Sequence, residues 1–350
     1  MSSQFPTTRD DAPAYLARYE KRRSAPTAAA TADLVDNNVP SFLARARERS
    51  IERARFDQLT GEAPPDRSEA FARETVGPRE IQYPEPFRRR LAGSVDVRLI
   101  RHGQTQGYVT DAALTPTGRW QAHRKGQDLA KSIKEGMVVK FLHAPTPRAK
   151  ETAIGVHEGV VQAMARYGIE GATIEEPRVA PAFDNFKVYC VGPDGPRELD
   201  VTAAFTFMAA LADQYNASGD GHRPGWMVEV DRFYRIQIAG GDPITQWLNT
   251  PMQYVEPAAL VVRRFWKGIV EEVRTATAAS PEETRIFVCT HSGPIRAVAT
   301  QAVGHDPGEP YNVEDVRIRV LEDLERAIVT YRGRGVEIEI PTTITPSWYA

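Results

Sequence analysis

The stretch "VRLIRHGQTQG" (Val97–Gly107) runs three apolar residues, Val97, Leu99 and Ile100, into Arg101 and His102 and then breaks at Gly103. Such a run reads as a strand delivering two basic side chains to a turn. A strand-end loop is where a rigid scaffold can hold a small polar constellation. An Arg-His pair is not diagnostic by itself, so its meaning depends on what else the chain brings to the same place.

Two other segments repeat the design. "THSGPIR" (290–296) again leads a strand into a histidine, His291, and a glycine-containing turn, with Pro294 suited to the first turn of a helix. Unsatisfied amides and the positive end of the dipole at that helix start favour an anion beside His291. In "HAPTPRAKETA" (143–153) a strand ends and Arg148 opens a helix. Ligands of open α/β sheets sit outside the carboxyl ends of the strands, so the three loops are expected to converge.

The surrounding pattern supports such a sheet. From Val95 onward "VDVRLIRHG", "MVVKFLHA" and "RIFVCT" read as near-continuous apolar strands. Between and after them come the helical stretches "PTGRWQAHRKGQDLAKSIKEG", "RAKETAIGVHEGVVQAMARYG", "EPAALVVRRFWKGIVEEVRTATA" and "GPIRAVATQAVG". This predicts an α/β domain over residues 95–350, with a mainly parallel sheet flanked by helices on both faces. "AIVTYRGRGVEIEI" reads as an antiparallel finish of two strands around a glycine-rich turn. Over about 186–254 the rhythm fails, and the stretch reads as an inserted cap. Its Phe205, Trp226, Phe233 and Tyr234 beside Arg232 and Arg235 suit an apolar substrate pocket with charged anchors.

Residues 1–94 differ, with proline breaks and few apolar runs, and are expected to be a largely helical extension. "SFLARARERSIERARFDQL" is its clearest helix, with Ser41 as N-cap. That extension is either an oligomer arm or active-site cover, or a solvated segment packed behind the domain. The formal charge of −2 over 350 residues leaves no electrostatic footprint for nucleic acid or an anionic membrane. The two cysteines, Cys190 and Cys289, have no metal-ligand spacing and suit a reducing compartment. With no apolar h-region near Met1, the expectation is a soluble, cytoplasmic protein.

Taken together, these stretches resemble the histidine phosphatase superfamily, the phosphoglycerate mutase-like fold. Its R-H-G-[EQ]-[ST] signature is matched by Arg101-His102-Gly103-Gln104-Thr105, and L-T-x-x-G-x-x-Q-A by "LTPTGRWQA". S-P-x-x-R-A-x-x-T-A is matched by "APTPRAKETA" except at Ala144, and H-[SG]-G-x-x-R by "HSGPIR". The resemblance covers the α/β core. It implies His102 as a nucleophile that becomes phosphorylated, and Arg101, Arg148 and His291 as the clamp on the phosphoryl oxygens. Gly103 would let the backbone approach the phosphate, with Thr105, Ser292 and Gly293 completing the pocket. No metal or other cofactor is implied.

The family's proton donor lies either directly after the second histidine as H-D, where this chain has Ser292, or in an L-x-E setting after the second arginine. "APAFDNF" places Asp184 there, with Glu151 as the alternative. Tyr108 stands where many members carry a phosphate-touching asparagine, and His143 precedes the second motif; both are candidates. The resemblance implies a metal-independent phosphatase acting on a small phosphorylated metabolite. Mutase-type transfer and a non-catalytic phosphate-binding or assembly module are the alternatives.

Overall fold

A computed structural model of the chain describes residues 94–105, 112–217, 223–279 and 283–341. The helix expected over residues 41–59, like the rest of residues 1–93, lies outside the described residues, and so does Tyr108.

Three strands buried along their length form the centre of the sheet. They are β1 (Val95–Arg101), β2 (Val138–His143) and β7 (Thr284–Thr290). β1 and β2 both pair with β7 in parallel, and the short β3 (Thr173–Ile174) and β4 (Arg178–Val179) pair with β2 in parallel. Alternation along β7 sends Ile286 and Val288 to one face and Phe287 and Cys289 to the other. Because both faces carry apolar side chains, both need helices over them. Helices α1 (Pro116–Ala130) and α2 (Pro147–Tyr167) cover the Phe287 face. α6 (Ala258–Ala279) and α7 (Ser292–Val303) cover the other through Val261, Phe265, Ile269, Ile295 and Val298.

The far side of the sheet is antiparallel and one strand larger than expected. β9 (Arg326–Tyr331) and β10 (Arg334–Glu339) form the hairpin read from the sequence, and β8 (Asp315–Val320) joins it to β1. β8 carries charges on its less buried face that are matched by ion pairs. Asp315 meets Arg98 at 2.9 Å and also Lys125, and Arg317 meets Asp96 at 2.8 Å. Burial alone would raise the Asp315 carboxyl, but Lys125 and Arg98 outweigh it and hold it well below the carboxylate range.

Between β4 and α6 the insertion folds as a hairpin of β5 (Lys187–Gly192) and β6 (Gly195–Asp200), followed by α3 (Val201–Ala217), α4 (Gly225–Ile238) and α5 (Pro243–Asn249). Its largest aromatics pack against the core and against one another. Trp226, Phe233 and Trp247 are buried in a cluster continuous with the sheet core. Phe205 and Tyr234 pack ring on ring at 3.9 Å, and Phe186 stacks on Trp247 at 4.4 Å. An insertion of this length must bury apolar surface of its own, and these rings supply it. Trp226 and Phe233, expected to line a substrate pocket, are therefore core residues, whereas Phe205 and Tyr234 are half-buried.

One buried cation joins cap to core. Arg296 on α7 is 2% exposed and donates to Asp242 at 2.6 Å, to Thr245 Oγ1 at 2.6 Å and to Asp306. Asp242 is also the N-cap of α5, accepting from the amides of Ile244 and Thr245. The closing arginine of "HSGPIR" is thus a tie between the cap and the helix that follows His291.

Candidate active site

Since β1, β7 and β2 are adjacent and parallel, their carboxyl ends lie side by side, and each releases one of the expected residues. His102 follows β1, His291 follows β7, and Arg148 opens α2 after β2. The loops are stitched together: the His102 amide donates to the Thr290 carbonyl at 2.9 Å, and the Ala144 amide to the Cys289 carbonyl at 3.0 Å. The rings of His102 and His291 meet edge to face, with centroids 5.5 Å apart.

Hydrogen bonding assigns each ring its tautomer. His102 Nδ1 lies 2.9 Å from the Gly103 carbonyl, which can only accept, so Nδ1 carries the proton and Nε2 keeps its lone pair. Burial pushes the His102 ring down to about 3, and the charges of Arg148 and Arg101 act in the same direction. In His291, Arg148 Nε donates to Nδ1 at 3.4 Å, which leaves the proton on Nε2, 3.2 Å from Thr146 Oγ1. Burial, then Arg148 and the neighbouring ring, hold His291 well below its ordinary value. Burial also lowers the Arg148 guanidinium, against the pull of Asp200 and Asp184.

Cationic and dipolar groups surround these rings. Arg148 is 6% exposed. Arg101 reaches outward to Glu309 at 3.1 Å and to the Pro310 carbonyl, while its buried Nε has no hydrogen-bond partner among the described residues. α7 starts at Ser292 with His291 as a residue that does not cap it through its side chain. The hydroxyl of Thr146, N-cap of α2, serves His291 instead of its own helix. Two helix N-termini therefore face the histidine pair without side-chain caps.

Asp184 arrives from a fourth direction. After β4, a short 3₁₀ turn (Pro181–Phe183) sets Asp184 with its Oδ1 4.0 Å from His291 Nε2. Its Oδ1 also accepts from the Asn185 amide at 2.8 Å, and its Oδ2 is ion-paired with Lys187. Lys187, the first residue of β5, was not singled out in the sequence, although it follows Asp184 by three residues. In the β5–β6 register Lys187 is paired with Asp200 at the open end of the cap hairpin, where the Asp200 carboxylate accepts from the Thr202 and Ala203 amides at 2.7 and 2.9 Å.

The other expected residues separate. Gly103 allows a close approach of protein backbone: a Cβ there would stand 2.5 Å from the Gly118 carbonyl oxygen of α1. The Gly103 amide is bonded to Thr152 Oγ1 at 3.0 Å. Gly293 is buried against the rim of the Phe186 ring, again a packing requirement. Thr105 forms a single antiparallel bridge with Leu114. Glu151 accepts from the Leu114 amide at 3.0 Å and neighbours Arg119 at 3.5 Å, a structural anchor for the chain leading into α1. His143 is buried at the end of β2 and bonded to the Ala144 carbonyl at 2.8 Å.

Arg232 and Arg235 are exposed on α4, whose buried face is Trp226, Met227, Val230 and Phe233. Arg235 pairs with Asp231 at 2.7 Å along its own helix, and Arg232 lies beside the side-chain amide of Gln246. Among the described residues no hydrogen bond or ion pair joins either of them to His102 or His291. Buried Cys289, its thiol pushed up to about 12 by burial, is an inert core residue. Among the described residues no group of three or more His, Cys, Asp or Glu side chains is placed to hold a metal ion.

Residues 97–168 match the model of the histidine phosphatase superfamily (branch 1), a span that contains "RHGQT", "LTPTGRWQA" and "APTPRAKETA". Solved structures similar to this one include a mycobacterial hydrolase, with 17% identity and a TM-score of 0.39 over 69% of this chain and 100% of its own. A mycobacterial glucosyl-3-phosphoglycerate phosphatase matches at 15% identity and a TM-score of 0.38, over 65% of this chain and 90% of its own. A phosphoglycerate mutase from Bacillus anthracis matches at 16% identity and a TM-score of 0.35, over 71% and 92%. No curated protein matches the sequence.

Proposed function

We propose that the protein is a phosphatase of the histidine phosphatase type, hydrolysing a small phosphorylated metabolite through a phosphohistidine on His102. The observation that carries this reading is the Nδ1–carbonyl bond of His102, which leaves Nε2 as a neutral nucleophile between two arginines and a second histidine. In this reading the Nε–H of Arg101, the guanidinium of Arg148 and Nε2–H of His291 hold the three non-bridging oxygens. The first amides of α7, at Ser292 and Gly293, add their dipoles.

Asp184 is the proton donor. Its Oδ1 lies 4.0 Å from His291 Nε2, beside the place the ester oxygen would take, and its Oδ2 is ion-paired with Lys187. His102 Nε2 attacks phosphorus, and the P–N bond forms as the ester P–O bond breaks. The leaving oxygen takes the proton from Asp184. In the second step Asp184, now a carboxylate, removes a proton from water while the water oxygen attacks phosphorus. The P–N electron pair returns to Nε2, and inorganic phosphate leaves. The rest of the substrate meets the open end of the cap hairpin, where Lys187 and Asp200 stand, rather than Arg232 and Arg235. No described helix is long and apolar enough to cross a membrane.

The test is to incubate the protein briefly with ³²P-labelled phosphate ester and quench in alkali. Acid-labile label on the protein, absent in His102→Ala, is the expected result, followed by release of inorganic phosphate rather than an isomeric ester. Full labelling of His102→Ala would overturn the assignment.

A further inference from the structure

Asp184 sits on irregular backbone, which carries no ladder to hold it, so something else must fix its position. The carbonyls of four successive residues there are all bonded by side chains of neighbouring elements. Arg264 Nη1 donates to Ala182 O at 2.8 Å and to Asp184 O at 3.0 Å, and Arg264 Nη2 donates to Asn185 O at 3.1 Å. Thr290 Oγ1, at the end of β7, donates to Phe183 O at 2.6 Å. The remaining Arg264 donors go to Glu256, Nε to Oε1 at 3.1 Å and Nη2 to Oε2 at 2.9 Å. All five N–H groups of this guanidinium are thus used, three of them on the segment that bears Asp184.

Glu256 extends the clamp to the next residues. Its Oε2 accepts from the Lys187 amide at 3.1 Å, and its own amide donates to the Lys187 carbonyl at 2.7 Å. Arg264 projects from α6, whose Val261, Phe265 and Ile269 are completely buried against the sheet. The platform is therefore the rigid core, and the object held is the backbone on either side of Asp184. A lysine could not substitute, since a single ammonium lacks the planar fork that spans three carbonyls and a carboxylate.

We infer that Arg264, braced by Glu256, is a positioning residue that aims Asp184 at the leaving oxygen, an inference that rests on the proposed role of Asp184 as proton donor. Misplacement of a catalytic group by about 1 Å is enough to cost roughly 10²-fold in rate. Arg264 touches neither the phosphate clamp nor His102, so its loss should appear only where protonation of the leaving group matters.

The experiment compares an alkyl phosphate, a poor leaving group, with an aryl phosphate of an acidic phenol, using Arg264→Lys, Asp184→Asn and the double variant. Arg264→Lys is expected to lower kcat on the alkyl phosphate by ~10–100-fold and on the aryl phosphate much less. On the alkyl phosphate, Asp184→Asn should lose more than Arg264→Lys, and the double variant should be no worse than Asp184→Asn, because the two changes remove one function. Equal losses on both substrates, or additive losses in the double variant, would overturn the inference while leaving Asp184 as donor. If Asp184→Asn itself shows no leaving-group dependence, the donor assignment fails and the inference fails with it. Should Arg264→Lys not fold, Glu256→Gln, which keeps the backbone bonds of Arg264 but loosens its brace, is expected to give the same selectivity at smaller size.

Discussion

At the carboxyl ends of β1, β2 and β7 the chain takes charged and polar groups out of water, whereas in the cap it removes aromatic rings and leaves most charges outside. Arg148, Asp184 and His291 are each under a tenth exposed and are satisfied mainly by one another and by nearby hydroxyl and ammonium groups. Arg197 and Arg235 of the cap pair with neighbours three or four residues away on exposed surfaces. Buried polar groups are costly unless every donor and acceptor is met, and the cost is tolerated where chemistry needs a dry, preorganised field. Surface pairs carry little energy and specify little. Substitutions at the sheet ends should therefore act on rate, those at the junction on stability, and those on the outer cap on almost nothing.

The largest expected effect is at His102. Replacing it with Ala should lower kcat by roughly 10⁴-fold or more, the order seen when a covalent nucleophile is removed, with the circular dichroism spectrum and urea midpoint little changed. Arg148→Lys should follow. It removes the fork on the phosphoryl oxygens and the donor to His291 Nδ1, and should lower kcat by roughly 10²–10³-fold. Weaker inhibition by inorganic phosphate would accompany that loss; unchanged inhibition would mean that Arg148 serves His291 alone.

At the junction the effect should move from rate to stability. Arg296→Met leaves Asp242 and Asp306 without their buried partner and frees the start of α5. Because both carboxylates are partly exposed, the expected loss is about 2–3 kcal/mol, below that for a fully buried pair, read from urea unfolding. A variant as stable as the parent would show that the cap is held by its aromatic core without this tie.

The division also explains what could be read in advance. Arg148 and His291 were legible because each lies where a strand end meets a helix start adjacent in sequence, and His102 because it follows a strand end and precedes a glycine. Gly103 was recognised, but its partner is Gly118 on a helix that only the fold brings near. Lys187 and Arg264 escaped for a related reason. Nothing local marks a lysine after "DNF" as an ion-pair partner, and Arg264 acts on carbonyls about eighty positions earlier. β8 was missed because its charged positions look like a loop until Arg98, Lys125 and Asp96 are placed opposite them. The cap's aromatics were read as a pocket because composition cannot distinguish rings that meet a ligand from rings that meet each other.

Acid should expose the cost of the buried histidines. His102 titrates at about 3 in the fold against 6.5 when free, so between those values the unfolded chain binds a proton that the folded chain does not. Stability is accordingly greatest above about pH 6.5 and falls as pH drops through that window. His291 is depressed in the same direction and adds to the fall. Urea midpoints at pH 7 and pH 4.5 should differ less in His102→Asn than in the parent. Equal differences would mean that His102 is protonated in the fold, and that it is not the neutral nucleophile proposed.

The smallest effects belong to the outer face of α4. Arg235 is 73% exposed and its partner Asp231 lies on the same helix, so the pair gains little Coulomb energy in water. Arg232 is exposed and lies beside the side-chain amide of Gln246, a group on α5 that any polar side chain could serve. Changing either arginine to Ala should alter kcat/KM by less than about 2-fold on alkyl and aryl phosphates alike, and stability by at most ~0.5 kcal/mol. Asp200→Asn, at the hairpin end facing Lys187, should by contrast change KM for a natural phosphate ester more than for a minimal aryl phosphate. A tenfold loss in Arg232→Ala with Asp200→Asn silent would reverse the comparison. It would place substrate recognition on the outer helix, and the hairpin end would then be scaffold.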